Sequence, residues 1–474
     1  MRTFFSILFL LVFYSASSQL KNTNFKEPLR MIDAWLDGER DFDKLPGLSI
    51  AIVIDQEIIF SKGYGYANLE MKVPMQPETI CSICSISKLF TSVATMKLWE
   101  QGKLRLDDSV AALLPSFNLK QVYNETVPIT VRSLLTHSSG LPREAAYAYW
   151  SAPDFHFPTK EEMNDKLGQQ QTLYPSSTYF QYSNLGMSIL GEIVAKASAT
   201  DYNTYADKNI LQPLQLNNTH PYLPQNLWGS QMAKGYSALY RDGTRKEMPF
   251  FQAKGITPAA GYSSNVIDLA HFASWQFRLL KNGNKEVMRP STLKEMQRIQ
   301  WMDPDRKITW GLGFAINEIN GITYVGHGGS CPGYRSLLSL SPKNKIAVAI
   351  MINAQGVDDG KYVRGIFNIL NKAKGNMDTT NNNIDLEAFA GNYNAYTWNG
   401  EDVVVPWKGK LALFSLPSDN PAESMQLFFY FGHDSFRRVR DYDESLGEEL
   451  RFERDAAGKV VKMWRNNNFE NKIK

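Results

Sequence analysis

The sequence predicts a mixed α/β fold, with helices flanking an antiparallel sheet, followed by a small β domain. Two groups of predicted strands, one early and one late, carry this prediction. The early group is a hairpin over 48–63 that turns at Asp55 and Gln56. The residues between the groups have helical spacing, so we expect an α-helical subdomain packed against an α/β subdomain. The late strands are predicted at 322–326, 335–340 and 345–352.

A separate C-terminal domain is predicted after residue 383. The stretch 372–383 is rich in Asn, Lys and Thr and has the composition of a linker. Beyond it, short β-type segments at 426–430, 449–453 and 459–464 are separated by turn residues. These segments predict a small β-barrel over 384–474, whose role the sequence leaves open.

The N-terminal sequence predicts that the protein is exported from the cytoplasm. Arg2 precedes an apolar stretch and then small residues up to Ser18, which is the pattern of a signal peptide at 1–18. We therefore expect a periplasmic or secreted protein, and no other apolar run approaches the ~20 residues of a membrane span. Loss of Arg2 would change the formal net charge from +3 to +2. This charge is too small to imply nucleic acid or an acidic membrane as a partner. The expected partner is a small-molecule or peptide substrate.

Ser85 and Lys88 are the first candidate catalytic pair. The Ser-x-x-Lys spacing also begins at Ser18 and Ser291, so the pattern alone is weak. After Ser85, apolar residues recur at helical spacing until Gly102, which predicts an amphipathic helix that Ser85 opens. Residues three apart share a helix face, so the Lys88 amine can lie beside the Ser85 hydroxyl. Taken alone, the pair would more simply be a helix N-cap and a solvated lysine.

A base role for Lys88 sets a condition on its surroundings. At its ordinary pKa of ~10.4 a lysine is neutral in only about one molecule in a few thousand at pH 7, a cost of roughly 4 to 5 kcal/mol. Burial or a second cation lowers a lysine pKa. Ile83, Ile86, Leu89 and Phe90 are apolar neighbours in sequence, so we expect a partly desolvated site.

Tyr182 and Asn184 form a second candidate element, two residues apart and just before the apolar run 187–194. A phenol can relay a proton to a leaving group. A carboxamide can hold a substrate amide through its donor and its acceptor together.

The third candidate element is His327-Gly-Gly-Ser330, which contains the only His-x-Gly of the sequence and follows β-type residues. Glycines at a strand edge allow a substrate backbone to approach closely, and the amide after Gly329 can point at a carbonyl oxygen. Alone, His327 would be a strand-edge histidine. Its position after the first two elements makes it a candidate site residue.

With these elements in order, the chain resembles the serine β-lactamase and penicillin-binding protein superfamily. The branch it resembles contains class C β-lactamases, D-alanyl-D-alanine carboxypeptidases, D-aminopeptidases and related carboxylesterases. The resemblance implies a β-lactamase/transpeptidase-like fold over 24–371, with the site in the cleft between the two subdomains. The matching segments are 63–68, the Ser85 element, 102–108, 134–141, 182–184, 213–214, 261–268, 310–314 and 327–329.

The resemblance also implies a role for each candidate residue. The catalytic positions fall on Ser85 as nucleophile, Lys88 as activating base, Tyr182 as second acid or base and His327 as third-motif residue. The substrate-binding positions fall on Asn184, Gly328, Gly329 and Ser330. The backbone amides of Ser85 and Ser330 would form the oxyanion hole.

His327 departs from the Lys-Thr-Gly motif of class C β-lactamases. Lysine stays charged near neutrality whereas histidine titrates there, so we expect a weaker, pH-dependent anchor for a substrate carboxylate. The expected function is therefore a secreted serine hydrolase that forms an acyl-enzyme on Ser85 and cleaves a D-amino-acid peptide or related amide. A β-lactamase or small-ester carboxylesterase activity is an alternative, and a non-hydrolytic penicillin-binding or sensor module is an alternative of another class.

The cysteines and histidines indicate neither a disulfide scaffold nor a metal centre. Only three cysteines are present, and the six histidines show no ligand spacing. No cofactor is expected. Cys84 precedes the nucleophile and Cys331 follows the His327 strand, and in the implied fold these elements lie side by side. The sequence leaves open whether they form a disulfide, and it leaves the oligomeric state open.

Overall fold

The computed structural model describes residues 25–123, 127–319, 321–374, 384–398 and 400–474. The predicted signal peptide lies outside these residues, as does most of the predicted linker. Within the described ranges, no helix combines the length and the apolar character needed to cross a bilayer.

Twelve α-helices and nineteen β-strands form the described part of the chain. The helices are α1 (Lys26–Phe42), α2 (Ser87–Glu100), α3 (Val110–Leu113), α4 (Val131–Leu135), α5 (Lys160–Leu167), α6 (Asn184–Ser198), α7 (Tyr202–Ala206), α8 (Thr257–Ala260), α9 (Val266–Asn282), α10 (Pro290–Gln297), α11 (Asp359–Ala373) and α12 (Pro421–Ser424). The strands are β1 (Gly47–Ile54), β2 (Glu57–Asn68), β3 (Val73–Pro74), β4 (Cys81–Cys84), β5 (Tyr262–Ser264), β6 (Trp301–Met302), β7 (Thr309–Trp310), β8 (Ala315–Ile319), β9 (Ile322–Cys331), β10 (Tyr334–Ser341), β11 (Ile346–Ile352), β12 (Gly391–Asn394), β13 (Glu401–Trp407), β14 (Lys410–Leu416), β15 (Gln426–Gly432), β16 (Ser435–Val439), β17 (Leu446–Arg454), β18 (Val460–Arg465) and β19 (Asn468–Asn471).

A nine-stranded antiparallel sheet joins the early and late strands in the order β3-β2-β1-β11-β10-β9-β8-β7-β6. The predicted hairpin is confirmed, and it turns at Asp55, which adopts a positive φ of 56°. Strand β1 then pairs with β11, with Leu48 opposite Ile352. Strand β9 extends further than predicted and contains the whole His327 element. The sheet therefore carries one wall of the candidate site.

The two faces of this sheet bury different side chains. Ile50, Ile52 and Ile350 share one core with α1 and α11. Ala51 and Ala349 alternate with them and face the other core, where α9 packs against β1 and β11. Because successive side chains of a strand point to opposite faces, the run from 48 to 53 is buried on both sides. The result is a sheet covered by helices on each face, as the sequence predicts.

The helical subdomain is built around α2, which packs against α6 and α8. Strands β4 and β5 form a small two-stranded sheet that connects this subdomain to the large sheet. Strand β4 contacts β9 and β10 and leads directly into α2. The N-terminus of α2 thus lies where the two subdomains meet.

The C-terminal domain is an eight-stranded antiparallel sheet in the order β12 to β19, which confirms the predicted β-barrel. It closes where Asn392 exchanges backbone hydrogen bonds with Ile473 and Lys474. Its interior is filled by apolar side chains, including Phe436 and Phe452. The domain docks through β13 and β14 on α1, on the side of the large sheet opposite α9.

Trp35 on α1 connects three parts of the protein. Its side chain is fully buried, and its indole Nε1 donates a hydrogen bond of 2.7 Å to the carbonyl of Ser418 in the C-terminal domain. Its ring also lies 5.7 Å from that of Tyr362 on α11. A Cβ atom at Gly365 would lie 2.3 Å from the indole, so this glycine makes the close contact between α1 and α11 possible.

Replacement of this tryptophan should therefore destabilise the protein as a whole. Trp35→Ala is expected to lower the free energy of unfolding by about 3 to 5 kcal/mol, because it opens a cavity between two helices and removes a contact with the C-terminal domain. Urea denaturation followed by circular dichroism measures the change. Trp398→Ala is the matched control, since the Trp398 side chain is 85% exposed. Equal midpoints for the two variants would contradict this account of Trp35.

Candidate active site

Ser85 lies in the sharp turn between β4 and α2. Cys84 adopts a positive φ of 49°, which turns the chain out of the strand, and Ser87 Oγ donates to the Cys84 carbonyl at 2.5 Å. The Lys88 amide then donates to the Ser85 carbonyl, so Ser85 opens the first turn as predicted. Its side chain stays partly exposed, whereas its neighbours are buried.

Helix α2 differs from the predicted amphipathic helix. All residues from 87 to 96 are buried, because α2 is enclosed by the other helices and the sheet. Two of its threonines are satisfied by backbone carbonyls: Thr95 Oγ1 donates to the Thr91 carbonyl, and Thr91 Oγ1 donates to the Pro258 carbonyl. The periodic apolar residues predicted a helix correctly but could not show that its polar side is buried as well.

Lys88 is fully buried and contacts Ser85, the predicted nucleophile. Its Nζ lies 3.2 Å from Ser85 Oγ, 2.8 Å from Asn184 Oδ1 and 2.7 Å from the Ala259 carbonyl oxygen. Burial holds the pKa of Lys88 well below its usual value, an effect that the charge of Glu144 opposes and that of Arg143 reinforces. A neutral amine can donate to two of these acceptors and accept the Ser85 proton with its lone pair. The desolvated site that the sequence predicts is therefore present.

Tyr182 lies on the other side of the nucleophile. Its phenol is close enough to Ser85 for the serine to lower its pKa, and Lys88 Nζ lies 4.8 Å from the centroid of its ring. Burial raises the pKa of Tyr182 above its ordinary value, although Ser85 lowers it in part. The phenol is therefore protonated near neutrality and is a proton donor in the resting site.

Asn184 is buried at the first position of α6, and both ends of its amide are occupied. Its Oδ1 accepts from Lys88, and its Nδ2 donates to the two carboxylate oxygens of Glu144 at 2.9 and 3.0 Å. The carboxylate thus fixes which end of the amide faces the lysine. In this structure Asn184 accepts a hydrogen bond from the Lys88 amine, and the substrate-binding role predicted for it stays a prediction.

Glu144 and His137 also lie at the site, although neither was among the site residues predicted from the sequence. The Tyr149 hydroxyl donates to the Glu144 carboxylate from behind. His137 has a positive φ of 56°, and its Nδ1 accepts from the Ser183 amide at 3.2 Å. Its ring packs 4.3 Å from that of Tyr182. The sequence signal that could have identified these two residues is the matching segment 134–141, which contains His137 and ends three residues before Glu144.

His327 lies on β9 and is buried, with an exposed fraction of 5%. Its Nδ1 lies 2.6 Å from the Gly328 carbonyl, which assigns the proton of the neutral ring to Nδ1. Burial and the nearby Lys88 lower the pKa of His327 to about 3. This environment favours the neutral His327 ring across the physiological pH range. It therefore does not favour the titration near neutrality that we expect from the sequence.

Gly328, Gly329 and Ser330 continue β9 past the nucleophile. A Cβ atom at Gly329 would lie 2.3 Å from the Ile83 carbonyl oxygen, so only glycine lets β9 approach β4 this closely. Ser330 is exposed, and its Oγ donates to Gln355 Oε1 at 3.3 Å. The oxyanion-hole role of the Ser85 and Ser330 amides stays a prediction.

A disulfide joins Cys84 to Cys331, with their Cα atoms 5.6 Å apart. It answers a question that the sequence left open. Because these cysteines directly precede Ser85 and directly follow Ser330, the bond holds the two segments of the site side by side. Cys81 is a buried free thiol, and burial raises its pKa to about 12. Across the described residues, no group of three or more His, Cys, Asp or Glu side chains could hold a metal ion.

Comparison with known proteins identifies the family. The sequence profile of the family described as "Beta-lactamase" matches residues 32–369. The chain belongs to this family, within the serine β-lactamase and penicillin-binding protein superfamily.

Individual relatives are distant. The chain is 26% identical over 363 residues to "Beta-lactamase-like protein 2" of Dictyostelium discoideum, a match that covers 72% of this chain and 64% of the relative. It therefore spans less than two thirds of that protein's length. The solved octameric penicillin-binding protein homologue from Pyrococcus abyssi superposes with a TM-score of 0.65 at 26% identity, covering 94% of this chain and all of that one. A D-stereospecific amidohydrolase from Streptomyces sp. gives a TM-score of 0.57 at 21% identity, covering 71% and 97%.

The burial of Lys88 and His327 predicts the shape of the pH profile. Only the neutral amine of Lys88 can accept the Ser85 proton, so a base role for Lys88 predicts that kcat/KM falls as the pH drops through the lowered pKa of this group. His327 should add no inflection between pH 5 and 8, because its pKa lies near about 3. The measurement is kcat/KM for a neutral ester against pH in the wild type and in His327→Gln. An inflection near pH 6.5 that disappears in the variant would show that His327 does titrate there.

Proposed function

We propose that this protein is an exported serine hydrolase that forms an acyl-enzyme on Ser85 and returns it to water. The observation that carries this proposal is the buried Lys88 amine, 3.2 Å from Ser85 Oγ and held by two further acceptors. Export rests on the predicted signal peptide.

The proposed reaction uses the site residues in sequence. Neutral Lys88 takes the proton of Ser85 as Oγ bonds to the substrate carbonyl carbon, and the carbonyl electrons move onto the oxygen. When the tetrahedral intermediate collapses, the bond to the leaving group breaks, and the leaving nitrogen takes a proton from the Tyr182 phenol. The protonated Lys88 can restore that proton. Water then attacks the ester on Ser85, with the same groups accepting and returning its proton.

We propose amides of D-amino acids as the preferred substrates. The likeness to a solved D-stereospecific amidohydrolase supports this class. The neutral His327 supports ranking β-lactams lower, because it offers their carboxylate no permanent charge. Small esters need no charged anchor for a carboxylate. We therefore place small esters and β-lactams together as alternative substrates.

The first test locates the nucleophile. Wild-type protein should be labelled by a fluorophosphonate or penicillin probe on Ser85, as located by mass spectrometry, and Ser85→Ala should lose both labelling and turnover with an unchanged circular dichroism spectrum. Substrates to assay are D-alanyl peptides, short p-nitrophenyl esters and nitrocefin. An adduct on Ser291 would refute the assignment. Stable labelling without turnover of any substrate would favour a non-hydrolytic penicillin-binding module.

The second test separates the proton-accepting role of Lys88 from its charge. Lys88→Arg keeps a cation but cannot supply a neutral base, because guanidinium does not deprotonate in the accessible pH range. We expect a loss of at least about a hundredfold in the rate of acylation, in line with the usual contribution of a general base. Single-turnover kinetics with a p-nitrophenyl ester measures it. Near-normal acylation would assign the base role to Tyr182 instead.

A further inference from the structure

Gln355 follows β11 and lies beside the Ser330 segment, without a role in the chemistry above. Its Oε1 accepts from Ser330 Oγ at 3.3 Å. Its Nε2 donates to two backbone carbonyls, that of Tyr334 at 2.7 Å and that of Cys331. Cys331 ends β9 and Tyr334 begins β10. One side chain therefore contacts both ends of the turn that joins these strands.

This set of contacts requires an amide. A glutamine side chain has two N–H donors on Nε2 and one carbonyl acceptor. Nε2 bonds to carbonyl oxygens of two buried residues, because Cys331 and Tyr334 are 4% and 3% exposed. A carboxylate of the same length could not donate to these oxygens, and an apolar side chain would make none of the three bonds. The amide of Gln355 thus holds the stretch 330–334 as one unit.

The backbone of Gln355 is itself fixed. Its amide donates to the Tyr236 carbonyl at 3.0 Å, and its carbonyl accepts from Arg245 Nη1 at 2.7 Å. The same Nη1 donates to the Ser237 carbonyl at 2.8 Å, and Arg245 Nε donates to the Lys44 carbonyl at 2.9 Å. Gln355 is therefore attached to segments outside β9 and β10, so its side chain can restrain the turn between them.

The disulfide and Gln355 restrain different atoms of the same segment. The Cys84–Cys331 bond fixes one side chain of this segment relative to the residue before Ser85. It places no direct restraint on the orientation of the neighbouring peptide groups. Gln355 bonds to the Cys331 carbonyl and to the Ser330 hydroxyl, and so restrains the backbone that the disulfide leaves unrestrained.

We infer that Gln355 is a positioning residue, which holds the segment 330–334 so that the Ser330 amide faces the carbonyl oxygen of a substrate bound at Ser85. The inference rests on the proposed hydrolase function and on the oxyanion-hole role predicted for the Ser330 amide. Donors stabilise a developing oxyanion only over a narrow range of distance, about 2.7–3.1 Å. A small displacement of this segment would therefore weaken stabilisation of the transition state more than binding of the substrate.

The test removes the amide without shortening the side chain. Gln355→Met makes none of the three bonds, whereas Gln355→Glu keeps an acceptor for Ser330 but cannot donate to the two carbonyls. Single-turnover acylation by p-nitrophenyl acetate separates the limiting acylation rate from the binding constant of the ester. Active-site titration with a fluorophosphonate probe normalises each rate to the amount of reactive protein. Should Gln355→Met fail to fold, Gln355→Glu, which is closer in shape, decides the question.

Both variants should lower the limiting acylation rate by about tenfold to a hundredfold, up to the loss that follows removal of one oxyanion donor, with little change in the binding constant of the ester. Affinity for phenylboronic acid, which forms a tetrahedral adduct with a serine, should fall by a similar factor. A merely structural defect would instead reduce the amount of reactive protein. Gln252→Met is the matched control, since Gln252 Nε2 donates to the Leu223 carbonyl at 2.6 Å and holds a different loop. It should acylate at the wild-type rate.

A wild-type acylation rate in either folded Gln355 variant would overturn the inference and leave the proposed function intact, because the disulfide and the strand pairing would then suffice to place Ser330. A slower rate with unchanged affinity for phenylboronic acid would also overturn it. An equal loss in Gln252→Met would do the same, since loss of any loop contact would then explain the effect. Absence of wild-type turnover, with no adduct on Ser85, would refute the proposed function and the inference together.

Discussion

Three segments of the β-lactamase-like domain surround one buried amine. Lys88 has no exposed surface, and a buried cation is costly unless polar groups surround it. Its acceptors lie on, or directly before, three separate helices: Ser85 before α2, Asn184 at the start of α6 and Ala259 on α8. These helices must pack against one another for the lysine to be satisfied. The same enclosure lowers the lysine pKa, so the contacts that stabilise this part of the core also prepare a base.

A second constraint holds the opposite wall of the site against the nucleophile. The absence of a side chain at Gly329 lets β9 approach the Ile83 carbonyl, and the Cys84–Cys331 disulfide ties the same two segments covalently. One wall of the cleft therefore belongs to the large sheet and the other to the helices. The C-terminal domain contributes to stability from elsewhere, because its contacts are with α1 and α11 on the far face of that sheet.

The parts of the structure that could be predicted from sequence are those with a local signal. Alternating apolar residues predicted the strands, and the order of the elements at Ser85, Tyr182 and His327 predicted the family. What could not be predicted depends on tertiary contact. The sequence gives no indication that α2 is buried on every side, that Asn184 faces Lys88 rather than the cleft, or that His327 is shielded enough to stay neutral. Glu144 was missed because its role exists only through Asn184, forty residues away.

The surroundings of Lys88 act in opposite directions on its protonation. Burial and Arg143 favour the neutral amine, which the first step of the proposed reaction would require, whereas Glu144 favours the ammonium, which that step would produce. Glu144 is connected to Lys88 through Asn184. Its charge is close enough to raise the pKa of Lys88, but it does not form an ion pair with the lysine that would keep the amine protonated. In the proposed transfer of the Ser85 proton to this amine, Asn184 and Ala259 are already placed to accept its hydrogen bonds. Such preorganisation lowers the cost of forming charge in a buried site.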